Sequence, residues 1–247
     1  MIRRAFLFSA LSGTVLLAMA ASAAAQDFQK SYKLGAGGQI RLGTVSGDVI
    51  VTAYEGDAVI VKATKEGRDR DQVEIEDRST GNSVDIGVRY PKQCNCDASV
   101  KIEAQVPRST SFMFDHISSV SGNVQVSGVT GRLKASAVSG DVHVTNVSGS
   151  VSASSVSGDV QVNIDRLEGT DDMKFSSVSG DVNVKLPSTL DAQVELSSMS
   201  GDIKNDFGIE VEQAKYGPHR SARRTIGDGA RHLKMSSVSG SLSLYHN

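Results

Sequence analysis

Four carboxylates recur in register through the second half of the chain. Asp141, Asp159, Asp181 and Asp202 each follow a glycine and fall 18, 22 and 21 residues apart. Stacked on one another, they would form a ladder with like charges about 4.8 Å apart, which repel. A bound Ca²⁺ would relieve that repulsion, and calcium β-rolls also use nine-residue repeats. Their Gly-Gly-x-Gly-x-Asp motif is missing here, and each repeat offers one carboxylate where calcium takes six or more oxygens. Exposed aspartates with local turn bonding are the plainer expectation. No metal ligand and no cofactor is assigned.

Serines form a second series: Ser121, Ser139, Ser157, Ser179, Ser200 and Ser239. Rows of hydroxyls can hydrogen-bond up a stack or present a flat polar surface. None sits in a Gly-x-Ser-x-Gly elbow, so acyl transfer has no motif behind it. His116, His143, His219, His232 and His246 are scattered. Asp115 and His116 are adjacent, and neighbours on a regular strand point to opposite faces, which argues against a dyad. No phosphate-binding or dinucleotide motif is present, because no helix follows the glycines at 35–38. There is no Trp and aromatics make up 5% of the chain, which disfavours the aromatic platforms of sugar pockets. Arg220, Arg223 and Arg224 fall in what reads as a surface loop and are expected to be solvated there. No catalytic residue is assigned, and an enzyme is not expected.

The elements that must carry these residues follow from the repeat. Gly122, Gly131, Gly140, Gly149 and Gly158 lie nine residues apart, and the fuller match Val-Ser-Gly-Asp/Asn-Val-x-Val returns every eighteen. A fixed period of this size signals a stacked array. Within a unit the apolar residues keep a period of two, which is a strand signal. Val138, Gly140, Val142 and Val144 share one expected face, with Ser139, Asp141 and His143 on the other. The phase slips at Thr145-Asn146, which predicts a corner. The expected fold is all-β: a parallel two-sided β-solenoid with roughly 18-residue rungs, closed by a degenerate β-rich N-terminal cap. The repeat glycine has two readings. It either points inward where strands approach closely, or forms a turn with positive φ.

Along the chain, residues 1–25 read as an export signal. Arg3 and Arg4 precede an apolar run, and 23–25 offer an Ala-x-Ala cleavage site between Ala25 and Gln26. The two arginines leave both the general and the twin-arginine export routes open. Without them the balance is 24 basic against 28 acidic residues, too neutral to predict a nucleic-acid partner. Residues 27–106 are expected to form the cap region. Cys94 and Cys96 either close a short disulfide, as suits an exported chain, or stay as free thiols. Residues 107–247 carry the solenoid repeats, with a long insertion near 204–231, and 27–247 reads as one continuous domain. Between Gly201 and Gly240 lies either one rung with an insertion or two rungs with one worn away.

These copies, with 226–229 (Ile-Gly-Asp-Gly) leading into the last Val-Ser-Gly at 238–240, resemble a bacterial family known as "putative adhesins", also described as a β-strand-repeat domain of unknown function. The resemblance covers the chain from about residue 27 to the end. It implies an exported β-solenoid-like protein of the envelope and brings no active site. The expectation is therefore a non-enzymatic protein of the periplasm or cell surface, adhesin-like or scaffolding. It would meet an unknown protein or glycan partner in the envelope, and self-association through an exposed end rung stays open. Two alternatives remain: a polysaccharide-acting β-helix enzyme and a calcium-stabilised β-roll binding module.

Overall fold

The structure is a computed structural model and describes residues 27–92 and 95–247. The expected signal segment with Ala25 and Gln26, and Cys94, lie outside the described residues. Cys96, which is described, is disulfide-bonded.

The fold is all-β, as the period of two in the apolar residues requires. The first strands are β1 (Phe28–Tyr32), β2 (Gln39–Ser46), β3 (Val49–Tyr54), β4 (Val59–Glu66), β5 (Glu74–Asp77), β6 (Ser83–Arg89) and β7 (Ser99–Pro107). Next come β8 (Phe112–Ser121), β9 (Val124–Ser127), β10 (Thr130–Ala137), β11 (Val142–Ser154), β12 (Val160–Arg166), β13 (Met173–Ser179) and β14 (Val182–Leu186). The last are β15 (Ala192–Ser198), β16 (Ile203–Asn205), β17 (Val211–Gln213), β18 (Arg220–Ile226), β19 (His232–Ser239) and β20 (Leu242–His246). One 3-10 turn at Arg70–Gln72 is the sole helical element among the described residues.

Two strands joined by a Ser-Gly corner make one rung. Successive rungs pair in parallel with the offset of the repeat. Gly131 lies opposite Gly149, and Val142 opposite both Val124 and Val160. One side of the stack runs β6–β2–β8–β10–β11–β13–β19–β15. The other runs β7–β3–β9–β11–β12–β14–β20–β16, with β11 passing through the corner to serve both. Antiparallel strands finish the ends. They are β5 on β6, β4 on β7 and β1 on β4 at one end, and β18 on β15 and β17 on β18 at the other.

The stack does not follow chain order at either end. The pair β6/β7 lies outside β2/β3. The pair β19/β20 is inserted between β13/β14 and β15/β16. The 39-residue gap between Gly201 and Gly240 is thus one rung with an insertion, and the last copy of the repeat is the second-last rung in space.

Inward residues form one continuous core in which Val124, Val142, Val160, Val182 and Leu242 stack from rung to rung. Each fully buried Val contributes on the order of 1.5 kcal/mol or more. The expected parity fails at one position. Val138 is 43% exposed, while Ala137 before it and Val142 after it are buried. The alternation of β10 continues outward through Val138, and the Ser-Gly corner then resets the phase. The corner glycines also answer the choice left open above. Of the corner glycines Gly47, Gly122, Gly140, Gly158 and Gly180, Gly47 alone has positive φ. A Cβ on Gly140, Gly158 or Gly180 would instead overlap the carbonyl oxygen of the preceding rung's glycine. Close approach between rungs, not turn dihedral, demands glycine here. The opposite corner does use the left-handed region, at Gly128 (φ 70°) and at Asn146 (φ 54°) eighteen residues later, as the phase slip predicts.

Candidate functional site

Because the rungs stack in register, each outward position becomes a row running along the molecule. Three adjacent rows cover the outward face of the β6–β15 side. The first is mostly cationic: Arg41, His116, Lys134, Lys174, Lys234 and Arg223, with Asp85, Ser152 and Glu195 as its non-basic members. The second is Ser118, Ser136, Ser154, Ser176, Ser236, Ser197 and Ser221. The third is Val45, Val120, Val138, Val156, Val178, Val238 and Met199, all between 43 and 58% exposed. Seven members at about 4.8 Å give the second and third rows a length of roughly 29 Å, and the first runs further.

Three depressions on this face join end to end. A cavity of 730 Å³ lies between β6, β2, β8 and β10, and its charged and histidine lining is Arg41, Arg78, Asp85, Asp115, His116 and Lys134. The next, of 270 Å³, shares Asp115, His116 and Lys134 with it and reaches Lys174 and Ser176. The third, of 340 Å³, shares Lys174 and Ser176 and reaches Val178, Val238, Met199 and His219. Together they form a shallow trough from β6 to β15.

The donors in its middle are free. Arg41, Lys134 and Lys174 make no ion pair among the described residues, and the hydroxyls of Ser136, Ser154, Ser176 and Ser236 make no hydrogen bond to the protein there. The two ends are pinned. Arg78 bonds Asp85 (2.9 Å) and Glu76 (3.1 Å), and Arg223 bonds Glu195 (2.7 Å). That hydrogen bond from Arg223, with Lys234 nearby, holds the Glu195 carboxyl below the usual carboxylate range.

A bulge shapes the widest part. Ile40 pairs with Phe114 and Arg41 with His116, so Asp115 is one extra residue on β8. Asp115 and His116 therefore both line the trough, against the expectation that strand neighbours face apart. His116 Nε2 lies 2.9 Å from Ser118 Oγ, so the histidine meets a serine instead of its neighbouring aspartate.

The aspartate ladder is present at the Ser-Gly corner, beside the valine row, and its bonding runs between rungs. Each side chain accepts a hydrogen bond from the backbone N–H of its counterpart one rung on. Asp48 Oδ1 accepts from Asn123 (2.8 Å), Asn123 Oδ1 from Asp141 (2.9 Å), and Asp141 Oδ1 from Asp159 (2.8 Å). Asp159 Oδ1 accepts from Asp181 and Asp181 Oδ1 from Ser241, both at 2.8 Å. A carboxylate that takes a backbone N–H gains a charge-assisted bond that offsets the repulsion from its neighbours. Asp202 instead pairs with Arg220 at 3.0 Å. Among the described residues no group of three or more His, Cys, Asp or Glu is arranged to hold a metal.

Two serine rows went unread in the sequence because they hide in plain repeats. The six serines before the repeat glycine, Ser121 to Ser239, are exposed, and their hydroxyls make no hydrogen bond among the described residues. The bonding row lies two residues earlier and is buried: Ser119, Ser155, Ser177, Ser237 and Ser198. Each donates its hydroxyl to the glycine carbonyl of the preceding rung, at 2.8 to 3.2 Å. The outward row, Ser118 to Ser221, lies one residue before that. The arginines expected in a loop sit on β18, where Arg220 also donates to the Gly201 carbonyl and Arg224 to that of Gly208.

With this geometry in hand, comparison with known proteins places the chain. A family model described as Toastrack DUF4097 matches residues 114–245, more than half of the 247 residues. The fold is similar to that of a "putative cell adhesion protein" from Clostridium sporogenes, at 12% identity and a TM-score of 0.47, over 89% of this chain and 99% of that one. It is also similar to a "putative adhesin" from Bacteroides fragilis, at 14% identity and a TM-score of 0.30, over 89% and 96%. At such scores these likenesses carry no argument about role. No curated protein matches the chain.

Proposed function

From the premise that the chain belongs to the Toastrack DUF4097 family, we propose that it is a two-sided parallel β-solenoid exported to the envelope or cell surface, where it works without catalysis as an adhesin-like binder or scaffold. The single observation behind this is the trough, whose middle carries unpaired cations and free hydroxyls. Polar groups repeated at equal spacing on a rigid face suit an extended partner, whereas catalysis concentrates its acid, base and nucleophile at one point. The signal-like segment at 1–25 supports export. Fractionation of cells and sedimentation of the purified protein with envelopes test the reading. The expected result is envelope retention that Ser136→Glu with Ser154→Glu abolishes. A cytoplasmic protein with no envelope retention overturns it.

A second reading, an enzyme acting on a polysaccharide, has one observation in its favour. His116, which lines the widest part of the trough, is in hydrogen-bond reach of Ser118, which is the base–nucleophile contact of ester hydrolysis. Among the described residues no carboxylate hydrogen-bonds His116 to orient it. Release of acetate from an acetylated glycan, lost in Ser118→Ala, would support this reading. No release above the buffer rate removes it.

A further inference from the structure

We infer that the trough takes a linear carboxylated polysaccharide, laid along the stack with about one sugar per rung; the inference rests on the surface-binding reading above and names its partner. A uronate ring presents three things: a carboxylate, hydroxyls, and an apolar C–H face. The face of the β6–β15 side offers a matching row for each, in order: cations, serine hydroxyls, valines. The rungs repeat at about 4.8 Å, which is the scale of the rise per sugar in an extended hexose chain. Arg41, Lys134 and Lys174 lie in the joined cavities and are unpaired, so a carboxylate bound to them displaces no internal salt bridge, and the Asp85 and Asp115 carboxylates in the widest cavity are outnumbered there by Arg41, Arg78 and Lys134. The row of aspartates beyond the valines bounds the cationic strip on one side. A narrow anionic chain fits within that bound, while a wide phosphate-covered duplex would also meet the aspartates.

The trough lining contains no aromatic side chain, so each sugar is held weakly and affinity must accumulate along the chain. That gives the inference a signature. The probe is polygalacturonate, as the polymer and as oligomers of graded length, titrated calorimetrically against the full protein. Affinity is expected to rise with length up to about seven sugars, one for each rung of roughly 4.8 Å, and to weaken as salt shortens the Debye length to about 8 Å at 0.15 M. Lys134→Gln with Lys174→Gln removes two exposed, unpaired charges. It should raise Kd by roughly tenfold with no change in thermal midpoint.

Three results overturn the inference: no binding, binding unchanged in the double variant, or equal affinity for fully methyl-esterified polygalacturonate or for duplex DNA. If any of these is found while envelope retention persists, the carboxylated-glycan inference alone fails. If envelope retention is absent too, both readings fail together.

Discussion

Ala137 interrupts the buried serine row, and that gap makes a quantitative prediction. In five rungs a serine hydroxyl donates to the glycine carbonyl of the preceding rung at 2.8 to 3.2 Å. At Ala137 the counterpart acceptor, the Gly122 carbonyl, receives no hydrogen bond among the described residues. Ala137 is buried, on a backbone in register with Ser119 and next to a rung that holds Ser155. Ala137→Ser should therefore place a hydroxyl on that carbonyl without strain. A buried hydrogen bond of this kind contributes about 0.5–1.5 kcal/mol net. For a chain of this size each kcal/mol moves the midpoint by about 2–4 °C, so the expected gain is about 3 °C. Ser177→Ala deletes the 2.9 Å bond to the Gly158 carbonyl and should lower the midpoint by a similar amount. The two sites lie two rungs apart, about 10 Å, and their effects should add. Scanning calorimetry on the four proteins measures this. An unchanged or lower midpoint for Ala137→Ser would refute the claim that these hydroxyls tie rung to rung.

Gly158→Ala puts a methyl group into the Gly140 carbonyl and should cost about 3 kcal/mol in urea unfolding, whereas Gly35→Ala, with ordinary contacts, should cost far less; equal costs would remove the close-approach argument. Asp159→Asn keeps the acceptor for the Asp181 amide, as Asn123 already does for Asp141, and sheds one like charge. It should be neutral or slightly stabilising, while Asp159→Ala should lose about 1 kcal/mol; an Asn variant as damaged as the Ala variant would contradict the ladder. At the N-terminal end, Lys30 on β1 pairs with Asp77 on β5 at 2.6 Å. Burial raises the Asp77 carboxyl, but hydrogen bonds from Lys30 and Ser79 outweigh it and hold the group well below the usual carboxylate range. A depressed carboxyl contributes stability that is present above the unfolded value near pH 4 and is lost as pH falls below it. Asp77→Asn should therefore be less stable than wild type at pH 6, with the gap narrowing steadily as pH falls below about 4, measured as urea midpoints across pH.

What the sequence reveals here is whatever repeats at a fixed spacing. The eighteen-residue return of Val-Ser-Gly-Asp-Val predicts strands, parallel stacking and one corner. Thr145-Asn146 predicts the other. The bulge at Asp115 could not be read, because one extra residue leaves no compositional trace and shows only as the 19-residue offset between Phe112 and Gly131. The outward role of Val138 was hidden because valine, the best core residue in the pattern, occupies a surface row. The trough was hidden for a related reason. Lys134, Lys174 and Lys234 sit 40 and 60 residues apart in sequence, and only the register of β10, β11, β13 and β19 puts them in one line.

Insertion of β19/β20 between β13/β14 and β15/β16 sets a timetable for assembly. Synthesis delivers the chain from its N-terminus, so β13 to β16 emerge while the strands that join them are still unmade. Until residues 232–246 appear, β13 and β15 each hold a bare edge toward an empty slot, the kind of edge that recruits foreign strands. Maturation thus waits on one late event, and a neighbouring copy could supply the same wedge in trans, giving an interlocked dimer in place of a closed monomer.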